Sequence, residues 1–116
     1  MPVLKRKRIM WTKVDAETEV AKVQMPARVF GFHVALGGGV LNNGESLKDL
    51  DLYFLPLDDV NTAPEVDELV AFLETQWGPS EPISSYGTST HYARKLKFHQ
   101  PKRIDVFIVC GNADID

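Results

Sequence analysis

Asp49 and Asp51 are two carboxylates separated by one leucine inside an apolar run, K-D-L-D-L-Y-F, from Lys48 to Phe54. In an extended strand, residues i and i+2 share a face. The two acids therefore project side by side, roughly 7 Å apart, while Leu50, Leu52 and Phe54 face a core. Such a pair packs poorly and suits a hard divalent cation, which takes oxygen ligands. Upstream stands a triple glycine, Gly37, Gly38 and Gly39, with Gly37 twelve residues before Asp49. Lacking a Cβ, these residues let a phosphate approach the backbone N–H groups. Cation ligands beside a phosphate cradle point to phosphoryl or nucleotidyl transfer.

A third acid, Asp105, sits in the middle of R-I-D-V-F-I-V, a stretch that reads as a buried strand. A buried carboxylate is costly unless something compensates it. An edge position, or an ion pair with Lys102 or Arg103, would account for it. The glycines and the D-x-D upstream favour another account, in which Asp105 completes a three-carboxylate metal site with Asp49 and Asp51 from a neighbouring strand. Tyr53 shares the strand face of Asp49 and Asp51 and is the aromatic expected beside them.

The elements that must hold these residues follow from pattern and punctuation. Asp15 is an N-cap candidate for a helix over residues 15–24, which Pro26 is expected to end. Residues 30–36 read as a buried strand that the glycines stop, and Asn42, Asn43 and Gly44 as a turn. Residues 50–57 form a second strand. Over 64–77, Pro64 takes the first helical position, acids fill the first turn, and Val66, Leu69, Val70, Phe72, Leu73 and Trp77 fit an amphipathic helix packed on a sheet, ended by Gly78-Pro79. Residues 79–90 read as loop with a short edge strand at 83–86. Residues 91–98 and 103–109 are strands joined by a turn at His99-Gln100-Pro101. The expected fold is α/β (α+β), a small mixed β-sheet with a few helices packed on it.

At 116 residues the chain suits one domain over 1–116, with 1–8 and 111–116 expected to be flexible. Its apolar content of 44% and charged content of 25% are those of an ordinary globular protein. A net charge of −3 lacks the basic excess of a protein that coats nucleic acid. No apolar run is long enough to span a membrane, no signal peptide is visible, and Cys110 is alone, so the expected setting is cytoplasmic without membrane association. Other constellations fail on spacing. The glycines do not form G-x-G-x-x-G, the three histidines and Cys110 lack zinc-ligand spacing, and no G-x-S-x-G occurs.

Taken together, Leu36-Gly37-Gly38, Asp49-Leu50-Asp51 and Asp105 resemble the nucleotidyltransferase superfamily of DNA polymerase beta. The wording is closest to the head domain of CCA-adding enzymes and poly(A) polymerases. The resemblance covers about residues 30–109. It implies that Asp49, Asp51 and Asp105 bind Mg2+ (or Mn2+), Asp105 on the side of the attacking hydroxyl, and that Gly37 and Gly38 cradle the β- and γ-phosphates of an NTP. Lys48, and Arg94 or Lys95, are the candidates to neutralise phosphate charge. The implied reaction moves an NMP from an NTP to a hydroxyl on RNA, protein or a small molecule, releasing pyrophosphate. The helical domains with which CCA-adding enzymes hold RNA have no counterpart in these residues, so a second protein subunit is an expected source of acceptor-binding surface. The alternative keeps the fold without turnover, as an antitoxin-like, inhibitory or scaffold protein. A glycine-only loop lacking the family's common serine motivates it.

Overall fold

The computed structural model describes residues 10–46, 48–57, 65–87 and 91–111. The basic run Lys5–Arg8, Pro64 as a helix start, the Asp58-Asp59 strand end and the tail 112–116 lie outside the described residues. In chain order the elements are β1 (Trp11–Thr12), α1 (Lys13–Val29), β2 (Phe32–Gly37), α2 (Gly38–Asn43), β3 (Glu45–Ser46), β4 (Leu50–Pro56), α3 (Val66–Trp77), β5 (Ser80–Gly87), β6 (His91–Phe98) and β7 (Ile104–Gly111). They build the mixed α/β fold expected from the sequence. Strands β2, β4, β7, β6 and β5 form a five-stranded sheet in that spatial order, and β1 pairs with β3 in a separate two-stranded ribbon. Only β4 and β7 run parallel; the other neighbours are antiparallel.

Strand alternation divides the sheet into two faces. Phe32, Leu50, Leu52, Phe54, Leu96, Phe98, Ile104, Val106 and Ile108 point one way and are all buried. Ala16, Val23 and Ala27 of α1 and Leu69, Leu73 and Trp77 of α3 join them in one core, where Trp77 meets Phe98 edge to face at 5.3 Å. The opposite face carries Ala35, Asp51, Tyr53, Leu55, Phe107, Lys95 and Lys97, all half-buried, together with buried Asp105.

Several boundaries differ from the sequence expectation. Thr12, not Asp15, caps α1: its backbone is extended and its hydroxyl accepts from Asp15 N–H at 3.1 Å. Pro26 does not end that helix, which continues to Val29. Its ring removes one backbone bond, but Ala27 just beyond is fully buried against the core and holds the last turn in place. The first sheet strand begins at Phe32, because Phe30 serves as the C-cap of α1. The short edge strand expected at 83–86 is present but longer: β5 has eight residues and pairs with β6 from Ser80↔Phe98 to Gly87↔Tyr92. Pro82 and the register shift between Pro82 and Ser84 disguise its start in the sequence, and both are tolerated at a sheet edge. Gly111 pairs with His91 and belongs to β7, not to a loose tail.

The stripe of α1 that faces the core is Ala16, Glu19, Val23 and Ala27. An acid in that stripe is why the apolar spacing looks irregular. Glu19 is 6% exposed; its Oε1 accepts from Trp77 Nε1–H at 2.8 Å and its Oε2 meets Lys22 Nζ at 3.1 Å. This carboxylate is structural, joining α1 to α3. Glu19→Ala strands the indole N–H and is expected to destabilise the protein by about 2 kcal/mol in urea denaturation. Glu19→Gln keeps an acceptor and costs less. Equal losses for the two changes would show that the hydrogen bond to Trp77 does not matter.

Candidate functional site

The acids lie where β4 and β7 begin. Asp49 stands immediately before β4, Asp51 is its second residue, and Asp105 is the second residue of β7. The parallel register sets Asp51 directly beside Asp105, with Gly37 on the far side of Asp51 and Lys97 on the far side of Asp105. Across four strands the order is therefore Gly37, Asp51, Asp105, Lys97. Burial of Leu50, Leu52, Ile104 and Val106 on the core face forces both acids onto the other face.

Asp105 is 7% exposed. Burial raises its pKa above the ordinary 3.8, and the Asp49 charge raises it further; Lys97 opposes, a proton shared with Asp49 adds to the rise, and Lys95 opposes. The Asp51 carboxyl is also raised, by burial first, then by Asp105 and Asp49, with Lys95 opposing. Asp49 Oδ1 and Asp105 Oδ1 are buried without a hydrogen-bond partner among the described residues. Lys97 Nζ lies 3.7 Å from Asp105 Oδ1, within ion-pair range but too far for a hydrogen bond. Neither Arg103 nor Lys102 plays that part. Arg103 uses its carbonyl to accept from Leu50 N–H and Trp11 Nε1–H, and Lys102 Nζ pairs with Asp15 at 3.3 Å.

The glycines fit against these side chains. A Cβ on Gly38 would run into the Asp51 carboxylate, its Cγ only 2.8 Å away, and one on Gly37 would overlap the Tyr53 ring. Gly38 also has φ +60, in the left-handed region. The triple glycine is therefore not a plain loop: Gly37 ends β2, Gly38 opens α2, and Gly44 with φ +77 closes it. Tyr53 in turn stacks on Phe107, with ring centroids 4.7 Å apart, and Lys95 Nζ lies 5.1 Å from the centre of the Phe107 ring. A row Gly37, Tyr53, Phe107, Lys95 thus runs beside the acids. One face of each ring is covered by the other.

Of the expected phosphate-neutralising residues, Lys48 is exposed and lines an open depression of about 450 Å³ with Gly39, Asn43, Glu45 and Ser46. Arg94 is not brought to the acids. It lies opposite Ile108 on the helix-covered face, where its Nη1 pairs with Asp67 of α3 at 3.1 Å. The charge near the acids comes from Lys95 and from Lys97, which sequence reasoning did not single out. Its signal, a lysine two residues after Lys95 on the same strand face, becomes meaningful only once β6 is registered against β7.

Whether divalent cations fit can be judged from the residues themselves. Two buried carboxylate oxygens without hydrogen-bond partners, and a proton affinity raised by burial and then by neighbouring acids, suit such an ion. Among the described residues, no group of three or more His, Cys, Asp or Glu side chains is gathered into coordinating geometry. Lys97 lies within ion-pair range of Asp105. No helix among the described residues is long and apolar enough to cross a membrane. Comparison with protein-family models and with curated proteins gives no match to this chain.

Proposed function

We propose that this protein is a metal-dependent nucleotidyltransferase that moves an NMP from an NTP to a hydroxyl acceptor. The observation that carries the reading is the pair of unpartnered, buried oxygens, Asp49 Oδ1 and Asp105 Oδ1, flanking Asp51 on one sheet face. Three carboxylates at this density, only partly offset by Lys95 and Lys97, cost stability and have a use as ligands for Mg2+ or Mn2+. Asp49 and Asp51 would bind both ions, and Asp105 would join them at the ion on the hydroxyl side. Two bound ions supply charge neutralisation for the attacking and leaving oxygens.

The chain's own residues have the remaining tasks. Gly38 lets the Asp51 carboxylate pack directly against the backbone, in the space a Cβ would fill. Lys48, at the depression beside Gly39, is placed to meet the terminal phosphates. Lys95, near both Asp51 and Asp105, offsets part of their charge and that of a phosphate at the site. In the reaction the acceptor hydroxyl would release its proton to solvent and its oxygen would bond to the α-phosphorus as the bond from that phosphorus to the pyrophosphate oxygen breaks.

The test is incubation of the folded protein with each labelled NTP, Mg2+ or Mn2+, and pools of RNA and protein. The expected result is label on an acceptor with stoichiometric pyrophosphate release. Folded protein that neither binds an NTP nor transfers label under any of these conditions would sink the proposal. Tight NTP binding without pyrophosphate release would favour the regulatory alternative.

A further inference from the structure

We propose that Lys97 is a built-in cation that holds the Asp105 side of the site. The protein then takes up one divalent ion readily, at Asp49 and Asp51, and admits a second only when Lys97 leaves Asp105. This rests on the two-ion reading above. Lys97 is the direct cross-strand partner of Asp105, and its Nζ approaches Oδ1, the same oxygen that lacks a hydrogen bond. The side chains are 26% and 9% exposed, so both charges are largely withdrawn from water, where an ion pair counts for more than at the surface. The ion pairs of the described residues include this one and none to Asp49 or Asp51. The asymmetry lies within a single cluster of acids.

The lysine stem is anchored while its tip can move. Leu96 and Phe98 on either side are buried and paired with Val106 and Ile104, so the backbone of β6 is fixed here. The flexible stem leaves the ammonium free to swing. Glu81, the partner of Lys97 on its other side, offers a second resting place. Glu81 Oε1 already faces His99 Nε2 at 3.1 Å but is exposed and able to accept another donor. Lys97 therefore has two acidic neighbours, one buried and one open. An ion arriving at Asp105 would hand the ammonium from the first to the second. Uptake of the second ion becomes conditional, and a polyanionic nucleotide that draws Lys97 away would promote it.

The experiment is Mn2+ titration of the full chain by calorimetry, with bound ions counted by electron paramagnetic resonance and no nucleotide present. An opposite charge at this range changes a carboxylate's affinity for a cation by roughly tenfold or more. Wild-type protein is expected to bind one Mn2+ and a second at least tenfold more weakly. Lys97→Met should bind two with similar affinity, and Lys97→Arg should behave as wild type. Lys97→Gln, checked for folding by circular dichroism, repeats the test if the methionine variant does not fold. If the neutral variants match wild type in number and affinity, Lys97 does not gate the site, while the two-ion reading stands. If no variant binds Mn2+, both proposals fall together.

Discussion

Asp51→Asn is expected to abolish nucleotidyl transfer and, in the presence of a chelator, to raise the melting temperature at neutral pH. The two effects have one cause. Asp51 stands between Gly37 on β2 and Asp105 on β7, with Asp49 two residues away. A charge here is partly stripped of water and then repelled by Asp105 and Asp49, which is why its carboxyl is raised, with Lys95 opposing. Amide for carboxylate removes the repulsion at nearly constant volume but also removes an ion ligand. Loss of groups that merely orient a ligand costs 10–100-fold, so loss of a ligand itself should lower turnover by at least about 100-fold. Full activity in the variant would show that the acids are not the reaction centre.

The pH dependence has a definite sign. The folded protein holds protons on Asp51 and Asp105 more tightly than the unfolded chain, where these carboxyls titrate near 3.8. Well below 3.8 both acids are protonated in both states and add nothing to the difference. As pH rises through 3.8 the unfolded chain ionises first, and stability falls until the folded acids have ionised as well. Above that point the penalty is complete and constant. In the chelated protein, wild type minus Asp51→Asn should therefore become more unfavourable from pH 3.8 upward and then level off. Added Mn2+ should reverse the penalty in wild type and much less in the variant. A pH-independent difference, insensitive to Mn2+, would contradict this electrostatic account.

Gly38→Ala is expected to damage both folding and ion binding, and a second glycine provides the control. Gly38 and Gly44 have φ +60 and +77, each in the left-handed region where an L-residue is strained by roughly 1–2 kcal/mol. They differ in surroundings. A Cβ at Gly44 meets nothing within 4 Å, whereas one at Gly38 collides with the Asp51 carboxylate. Gly44→Ala should thus lose only the backbone strain and leave Mn2+ binding unchanged. Gly38→Ala should lose more in urea denaturation and weaken Mn2+ binding by at least about tenfold, because Asp51 must turn aside. Identical behaviour of the two variants would mean that the contact between Gly38 and Asp51 has no functional weight.

Much of this was legible in the chain because it depends on neighbours close in sequence. The alternation around Leu50, Leu52 and Phe54 determined that Asp51 faces away from the core, and the apolar stripe of α3 followed from helical period alone. The glycines marked where β2 must stop. Where local pattern and long-range packing disagreed, the sequence misled. Pro26 looked like a helix end because proline is costly inside a helix, yet the helix continues where Ala27 is buried. The edge strand expected at 83–86 starts already at Ser80, because a sheet edge accommodates Pro82 and a register shift. Arg94 and Lys95 were equivalent by composition, and one residue of alternation puts them on opposite faces.

What only the tertiary structure decided is the company each charge keeps. The parallel register of β4 and β7 sets Asp51 beside Asp105, though they stand 54 positions apart in the chain. The hairpin of β6 and β7 sets Lys97 on Asp105, and the close approach of Gly38 to Asp51 depends on how β2 meets β4. The sequence by itself determined which residue types are present and which way each one faces along its own strand, because alternation is a local property. Which strands become neighbours, and in what register, depends on burying one shared core, and no short stretch of the chain contains that information.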